Sequence, residues 1–200
     1  MHRRDLLSVT GTFLAGGIAG CVRGIRGRDG GGGSGATPTV ASPSAALSVS
    51  SPAFADGDSI PTKYTCDGED GSPPLSIDGV PDGAQSLTLV VDDPDAPGGT
   101  FTHWLLWNIP VDTQSIPASI PRSEKVATLQ GAIQGTNDFD VLGYRGPCPP
   151  QDDSAHTYRF ILQALKTPLS LDPGADRATF EDAMPETVLA RTVLRASYDR

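Results

Sequence analysis

The chain has 200 residues and a formal net charge of -9, a length that suits one domain with accessory segments and can bury a core without metals or many disulfides. The acidic excess repels phosphate backbones and anionic membrane surfaces, and the body of the chain carries no basic run, so nucleic acid is excluded as a partner. Asp outnumbers Glu and Arg outnumbers Lys, which occurs only at Lys63, Lys125 and Lys166; that balance points to life in concentrated salt and equally serves plain solubility.

Arg3 and Arg4 precede the apolar, Gly-interrupted stretch Leu6 to Ala19, which closes on Ile18-Ala19-Gly20-Cys21. Residues 1–21 resemble a twin-arginine lipoprotein signal ending at lipobox Cys21, with Leu6 where an aromatic is usual. The stretch is shorter than the ~20 residues a spanning helix needs. An uncleaved anchor or a buried first helix is the plainer alternative; in either case the domain is expected to be extracytoplasmic and held at the cell membrane, through a lipid on Cys21 in the first reading. Cys66 and Cys148 then remain as an even pair, compatible with a disulfide in an oxidising compartment and equally with two reduced buried cysteines. Residues 22–46 are mostly Gly, Ser, Thr, Ala and Pro with no apolar period, a flexible linker. About twenty-five such residues hold a domain on the order of 25 to 30 Å from its anchor.

From residue 47 to 200, short β-type runs alternate with turn clusters, the spacing of an antiparallel sandwich or barrel and not of alternating βαβ units. Leu47–Val49, Ser86–Val91, His103–Ile109, Tyr158–Leu165 and Thr192–Tyr198 are the predicted strands, dense in β-formers and bounded by Asp, Gly and Pro. Asp176 to Ala190 is predicted helical, with Asp176 as N-cap, Phe180, Ala183, Met184 and Val188 as its apolar stripe, and Pro185 as an interruption or a second start. No internal repeat, phosphate-binding loop or zinc spacing is present.

The unusual residues gather in three segments: Asp92-Asp-Pro-Asp-Ala-Pro97, His103-Trp104, and Gly143-Tyr-Arg-Gly-Pro-Cys-Pro-Pro150 running on to His156-Thr-Tyr158. His2 lies in the signal, so the domain itself has two histidines, His103 and His156. Asp92, Asp93 and Asp95 suit a solvated turn or a hard cation, and two histidines with Asp93 could make a zinc or iron set.

These segments, with Tyr64-Thr-Cys-Asp-Gly-Glu-Asp-Gly-Ser-Pro-Pro-Leu75 and Asn108-Ile-Pro110, resemble the phosphatidylethanolamine-binding proteins in their bacterial and archaeal, Raf-kinase-inhibitor-like branch. The resemblance implies a mainly β fold, an antiparallel β-sandwich with short C-terminal helices, and a small, normally metal-free pocket for phosphate, phosphoethanolamine or a carboxylate, with no cofactor. By position, that pocket comprises Asp93, His103, the Gly146–Pro150 loop with Gly146, Pro147 and Pro149, His156 and Tyr158. Imidazoles can donate to an anion and gain charge as pH falls, Tyr158 adds a hydroxyl donor, and Asp93 would orient one histidine and raise its pKa. Asp95 is expected to bond turn backbone. Two positions depart from the branch: Phe101 precedes the first histidine with Thr102 between them, and Arg145 stands where Gly is common, adding charge at the mouth or pairing with surface carboxylates.

A lipid-anchored anion-binding module is the leading expectation, and no catalytic residue is assigned. Relatives linked to kinase and serine-protease inhibition suggest an inhibitor of a secreted protease as the alternative, with Val111–Val126 as a candidate exposed contact. A hydrolase using Cys148 with His156, or Asp93 with His103, is the third reading.

Overall fold

The computed structural model describes residues 46–200 except Thr187; the signal predicted over 1–21, with Cys21, and all of the linker but Ala46 lie outside the described residues. The strands are β1 (Ser48–Ser50), β2 (Leu75–Asp78), β3 (Ser86–Asp93), β4 (Phe101–Ile109), β5 (Ser115–Ile116), β6 (Lys125–Val126), β7 (Ala132–Gln134), β8 (His156–Leu165) and β9 (Ala190–Tyr198). Among the described residues they form a sheet ordered β1-β2-β5 and a larger one ordered β6-β7-β4-β3-β8-β9, with antiparallel pairing throughout.

Alternation decides what each face of the larger sheet meets. Leu87, Leu89 and Val91 of β3, Trp104 and Leu106 of β4, and Phe160 and Leu162 of β8 share a core with Val49, Leu75 and Ile77 of the smaller sheet. The intervening Val90, Leu105, Trp107 and Ile161 enter a second cluster with Phe180 of helix α1 (Arg177–Ala183). Both faces of the central strands are therefore covered, and β3 is buried along its whole length, Asp92 and Asp93 included. These two adjacent carboxylates then diverge: Asp92 turns to Arg159 and Arg177, and Asp93 turns to the opposite face.

Helix α1 is capped as expected, the Asp176 carboxylate accepting from the Thr179 N–H at 2.9 Å. It stops at Ala183, well short of the predicted Ala190, because the residue before Pro185 is driven out of the α region: Met184 has ψ of 134°. Met184 and Val188 still pack on the second cluster, from extended chain and not from a helical stripe. Among the described residues this is the one α-helix and it precedes β9, so the expected short C-terminal helices reduce to it.

The segment Val111–Val126, expected to be an exposed contact, is exposed over most of its length and is pinned at a few buried positions. Ile116, Ile120 and Val126 are buried, and Ile120 N–H donates to Ser72 Oγ at 3.0 Å. The fully buried Gln134 accepts from Trp104 Nε1 at 2.8 Å and donates from Nε2 to the carbonyls of Pro121 and Ser123 at 2.8 and 2.7 Å.

Candidate functional site

A cavity of about 300 Å³ opens at the end of β3, β4 and β8, where their last residues run past the core. Asp93, His103, His156, Tyr158 and Pro149 of the predicted set line it, together with Phe101, Phe139 and Cys148. Gly146 and Pro147 do not line it. They hold the wall from behind: Gly146 N–H donates to Asp70 Oδ1 at 2.7 Å, and the Pro147 carbonyl accepts from Cys66 N–H at 3.0 Å. A Cβ at Gly146 would strike the Tyr64 carbonyl and sit 2.7 Å from Thr65 Cα, so only glycine permits this approach. Cys66 and Cys148 are joined as a disulfide, Cα atoms 5.4 Å apart, which fastens the same wall to the same segment.

His103 reaches the cavity through a bulge. Val91 pairs with Trp104 but Asp92 pairs with Thr102, so His103 is an extra residue in β4. Strict alternation would put it on the face of Leu105 and Trp107. The bulge turns its ring against Tyr158, edge-on at 5.2 Å between centroids, and against Phe101 and Phe139 at 5.5 and 5.3 Å. Its freed carbonyl accepts from Arg145 N–H at 3.0 Å and from Asn137 Nδ2 at 3.3 Å, so the irregularity leaves no orphan there.

The two imidazoles differ in charge. His103 Nδ1 lies 2.8 Å from the Arg145 carbonyl, an acceptor, so Nδ1 carries the proton. Burial holds the pKa of His103 below the ordinary histidine value against the opposing pull of that carbonyl and of Asp93; the ring is neutral and its Nε2 is an acceptor. His156, also buried, is pulled down by burial and pushed up more strongly by Asp93 and Asp153, with a net rise. Asp93 Oδ2 sits 2.8 Å from its Nδ1 and Asp153 Oδ2 3.5 Å from its Nε2. Asp93 is itself fixed by Asp95 N–H, 2.8 Å from Oδ1.

Tyr158 is fully buried, and its hydroxyl finds no hydrogen-bond partner among the described residues. Burial first, then the negative charge of Asp93, holds its pKa far above the ordinary phenol, so it keeps its proton and remains a donor. Asp95 bonds backbone as expected, but across the site: Oδ2 accepts from Thr157 N–H at 2.8 Å. Arg145 lies with its guanidinium over the Phe139 ring of the cavity wall at 4.6 Å, and pairs with no carboxylate among the described residues. Asp153 and Phe139 were not singled out from sequence. Each stands in a polar, turn-like stretch, where a lone Phe among Asn137, Asp138 and Asp140 was the available signal.

Known proteins resemble this antiparallel domain. The family model described as phosphatidylethanolamine-binding protein matches residues 50–199. A UPF0098 protein of Pyrococcus horikoshii is 49% identical over 154 residues, covering 77% of each chain. A Mycobacterium tuberculosis protein whose name, LppC, places it provisionally among lipoproteins is 34% identical over 214 residues, covering all of this chain and 98% of its own. The crystal structure of Escherichia coli YbcL, described as a member of the mammalian family, superposes with a TM-score of 0.72 at 32% identity, covering 78% of this chain and 99% of that one. The chain belongs to the phosphatidylethanolamine-binding protein family.

Proposed function

We propose that this is an exported protein, anchored by a lipid on Cys21, whose pocket binds a small anion without catalysing a reaction. The observation that carries the binding reading is the arrangement of donors: a His156 raised in pKa between two carboxylates, beside a buried Tyr158 hydroxyl with no partner. An incoming anion takes the Nε2 proton of His156 in place of Asp153, and the Tyr158 hydroxyl as its second donor. Among the described residues no helix is long and apolar enough to cross a membrane, and the relative with a lipoprotein name aligns along the whole chain, including the signal region. The Asp-rich surface suits a salty exterior.

Catalysis has less to stand on. The sulfur of Cys148 is bonded to Cys66 and leaves no thiol beside His156, while Asp93 is engaged with His156 and not with His103. The reading as an inhibitor of a secreted protease keeps Val111–Val126 as a candidate contact, an exposed segment pinned by buried Ile116, Ile120 and Val126.

Titration with acetate tests the binding reading. The affinity of wild type is expected to be highest where His156 is charged and to fall as pH rises through its raised pKa, above the ordinary 6.5. Asp93 and Asp153 flank its two nitrogens. Stability follows the same sign: the contribution of His156 is complete below the unfolded value and is lost as pH climbs through the folded one. His103, with a lowered pKa, acts oppositely, its contribution being lost as pH falls below 6.5. An acetate affinity that is flat with pH would count against His156 as the anion donor.

The rim carboxylate supplies a sharper check. Asp153 is half-exposed and faces the very nitrogen the anion needs, so Asp153→Asn is expected to raise acetate affinity by roughly three- to tenfold, the scale of a partly screened charge pair. Unchanged or weaker binding by that variant, measured by calorimetry, would mean the anion does not meet His156 Nε2.

A further inference from the structure

The two sulfurs of the Cys66–Cys148 bridge sit in unequal electrostatic surroundings. Both cysteines are partly exposed, and Cys148 also lines the cavity. Arg200 Nη1 lies 3.7 Å from Cys148 Sγ. Asp67 follows Cys66 in the chain, and its carboxylate accepts from the Tyr198 hydroxyl at 2.8 Å and from Arg200 Nε at 3.0 Å. Those bonds, that of Tyr198 first, hold its pKa below the ordinary carboxylate value, so it is ionised at neutral pH. A guanidinium in contact with Cys148 and a carboxylate one residue from Cys66 favour thiolate character at Cys148 over Cys66.

The segments that the bridge joins are also held without sulfur. Cys66 N–H donates to the Pro147 carbonyl, Gly146 N–H to Asp70 Oδ1, and the Tyr144 hydroxyl to the Tyr64 carbonyl at 2.8 Å. Arg122 spans the Tyr144 carbonyl and the Asp70 carboxylate at 2.9 and 2.7 Å. All of these ties lie before Cys148. Past it, among the described residues, the chain to Ala155 is held by a turn bond of its own, Asp153 N–H to the Pro150 carbonyl, and by Asp153 against His156. The bridge can therefore open while the fold stands, and what its opening releases is the outer wall of the cavity.

We propose that the Cys66–Cys148 bridge is a thiol–disulfide exchange site, opened in the folded protein by a dithiol reductant, with Cys66 as the sulfur attacked and Cys148 as the leaving group. One thiolate of the dithiol attacks Cys66 Sγ, the sulfur–sulfur bond of the bridge breaks, and its electron pair leaves on Cys148 Sγ as a thiolate against Arg200. The second thiol of the reductant gives up its proton and attacks the reductant sulfur bound to Cys66. Cys66 departs as a thiolate and takes up a proton. The dithiol is oxidised by two electrons to its disulfide, and the bridge is reduced to two cysteines. Arg200 acts on the first step, because a leaving thiol of lower pKa departs faster.

The test treats the folded full chain with dithiothreitol at constant ionic strength, with iodoacetamide added in short pulses. Peptide mass spectrometry counts label on Cys66 and Cys148 apart from Cys21, and near-ultraviolet circular dichroism follows the fold. The bridge is expected to open with the dichroism unchanged, the first label falling on Cys148 and the dithiothreitol adduct on Cys66. Arg200→Gln is expected to slow opening and Asp67→Asn to speed it, each by about three- to tenfold, the scale of one charge at contact distance near a protein surface. If the Asp67–Arg200 pair merely tied the two segments together, both variants would loosen the bridge and both would speed its opening. Opening that occurs only as the dichroism is lost, label that falls equally on the two cysteines, or variants that fail to move in opposite directions overturns the proposal.

Discussion

His156→Ala is expected to abolish measurable anion binding, a loss of at least about hundredfold, and to lower stability by about 3 kcal/mol at the same time. Both effects come from one place. Among the described residues that line the cavity the imidazolium is the only cation, and its Nδ1 pairs with an Asp93 carboxylate that is 4% exposed. Truncation leaves that carboxylate buried without its partner, and an uncompensated buried charge is worse than no pair at all. The double variant Asp93→Asn with His156→Ala separates the two consequences. It is expected to recover much of the lost stability in a denaturant titration and none of the binding. A double variant that regains affinity for acetate would show that His156 served only to neutralise Asp93.

Gly146→Ala should be nearly as damaging for a different reason. The added methyl is directed at the Tyr64 carbonyl and at Thr65 Cα, both backbone atoms of a segment already tied by the Cys66–Cys148 bridge and by the Gly146–Asp70 hydrogen bond. Backbone tied at both of these points cannot step aside as a flexible side chain would, so a cost of about 3 kcal/mol or more is expected. For a domain of this size that corresponds to a fall in Tm of about 10 °C. Because Gly146 sits behind the wall, the variant should also shift Pro149 and weaken binding, whereas a residue merely lining the cavity would alter binding alone. A Tm within about 2 °C of wild type would place the clash elsewhere.

The strands that run through the core were legible because both their faces are buried: Ser86–Val91, His103–Ile109 and Tyr158–Leu165 are runs dense in β-formers, and the structure extends each by two residues at the end that carries the site. The short strands β2, β5, β6 and β7 were not singled out. Runs of two to four residues carry too little pattern to stand apart from turns, and only pairing with a neighbour defines them. The helix was seen in kind and overextended in length, since its apolar spacing continues past Pro185 although the backbone does not.

Within the site, residue type located Asp93, His103, His156 and Tyr158, which do line one cavity. It could not reveal the bulge at His103, because a register slip is a property of two strands and the sequence describes one at a time. The opposite protonation of the two histidines was hidden for a related reason: one faces a carbonyl of a loop 42 residues on, the other a carboxylate 63 residues back. Gly146 and Pro147 were assigned to the lining when they are its support, and the distinction depends on which side of a loop faces the ligand.

Histidine side-chain NMR of the full chain, with and without saturating acetate at constant ionic strength, tests the anion pocket most directly. If the anion accepts from charged His156, acetate must raise the pKa of His156 in a saturable manner, because whatever binds the protonated form preferentially stabilises it. His103, whose Nδ1 is committed to the Arg145 carbonyl, should move far less. A His156 titration curve that stays put as acetate is added would contradict the account.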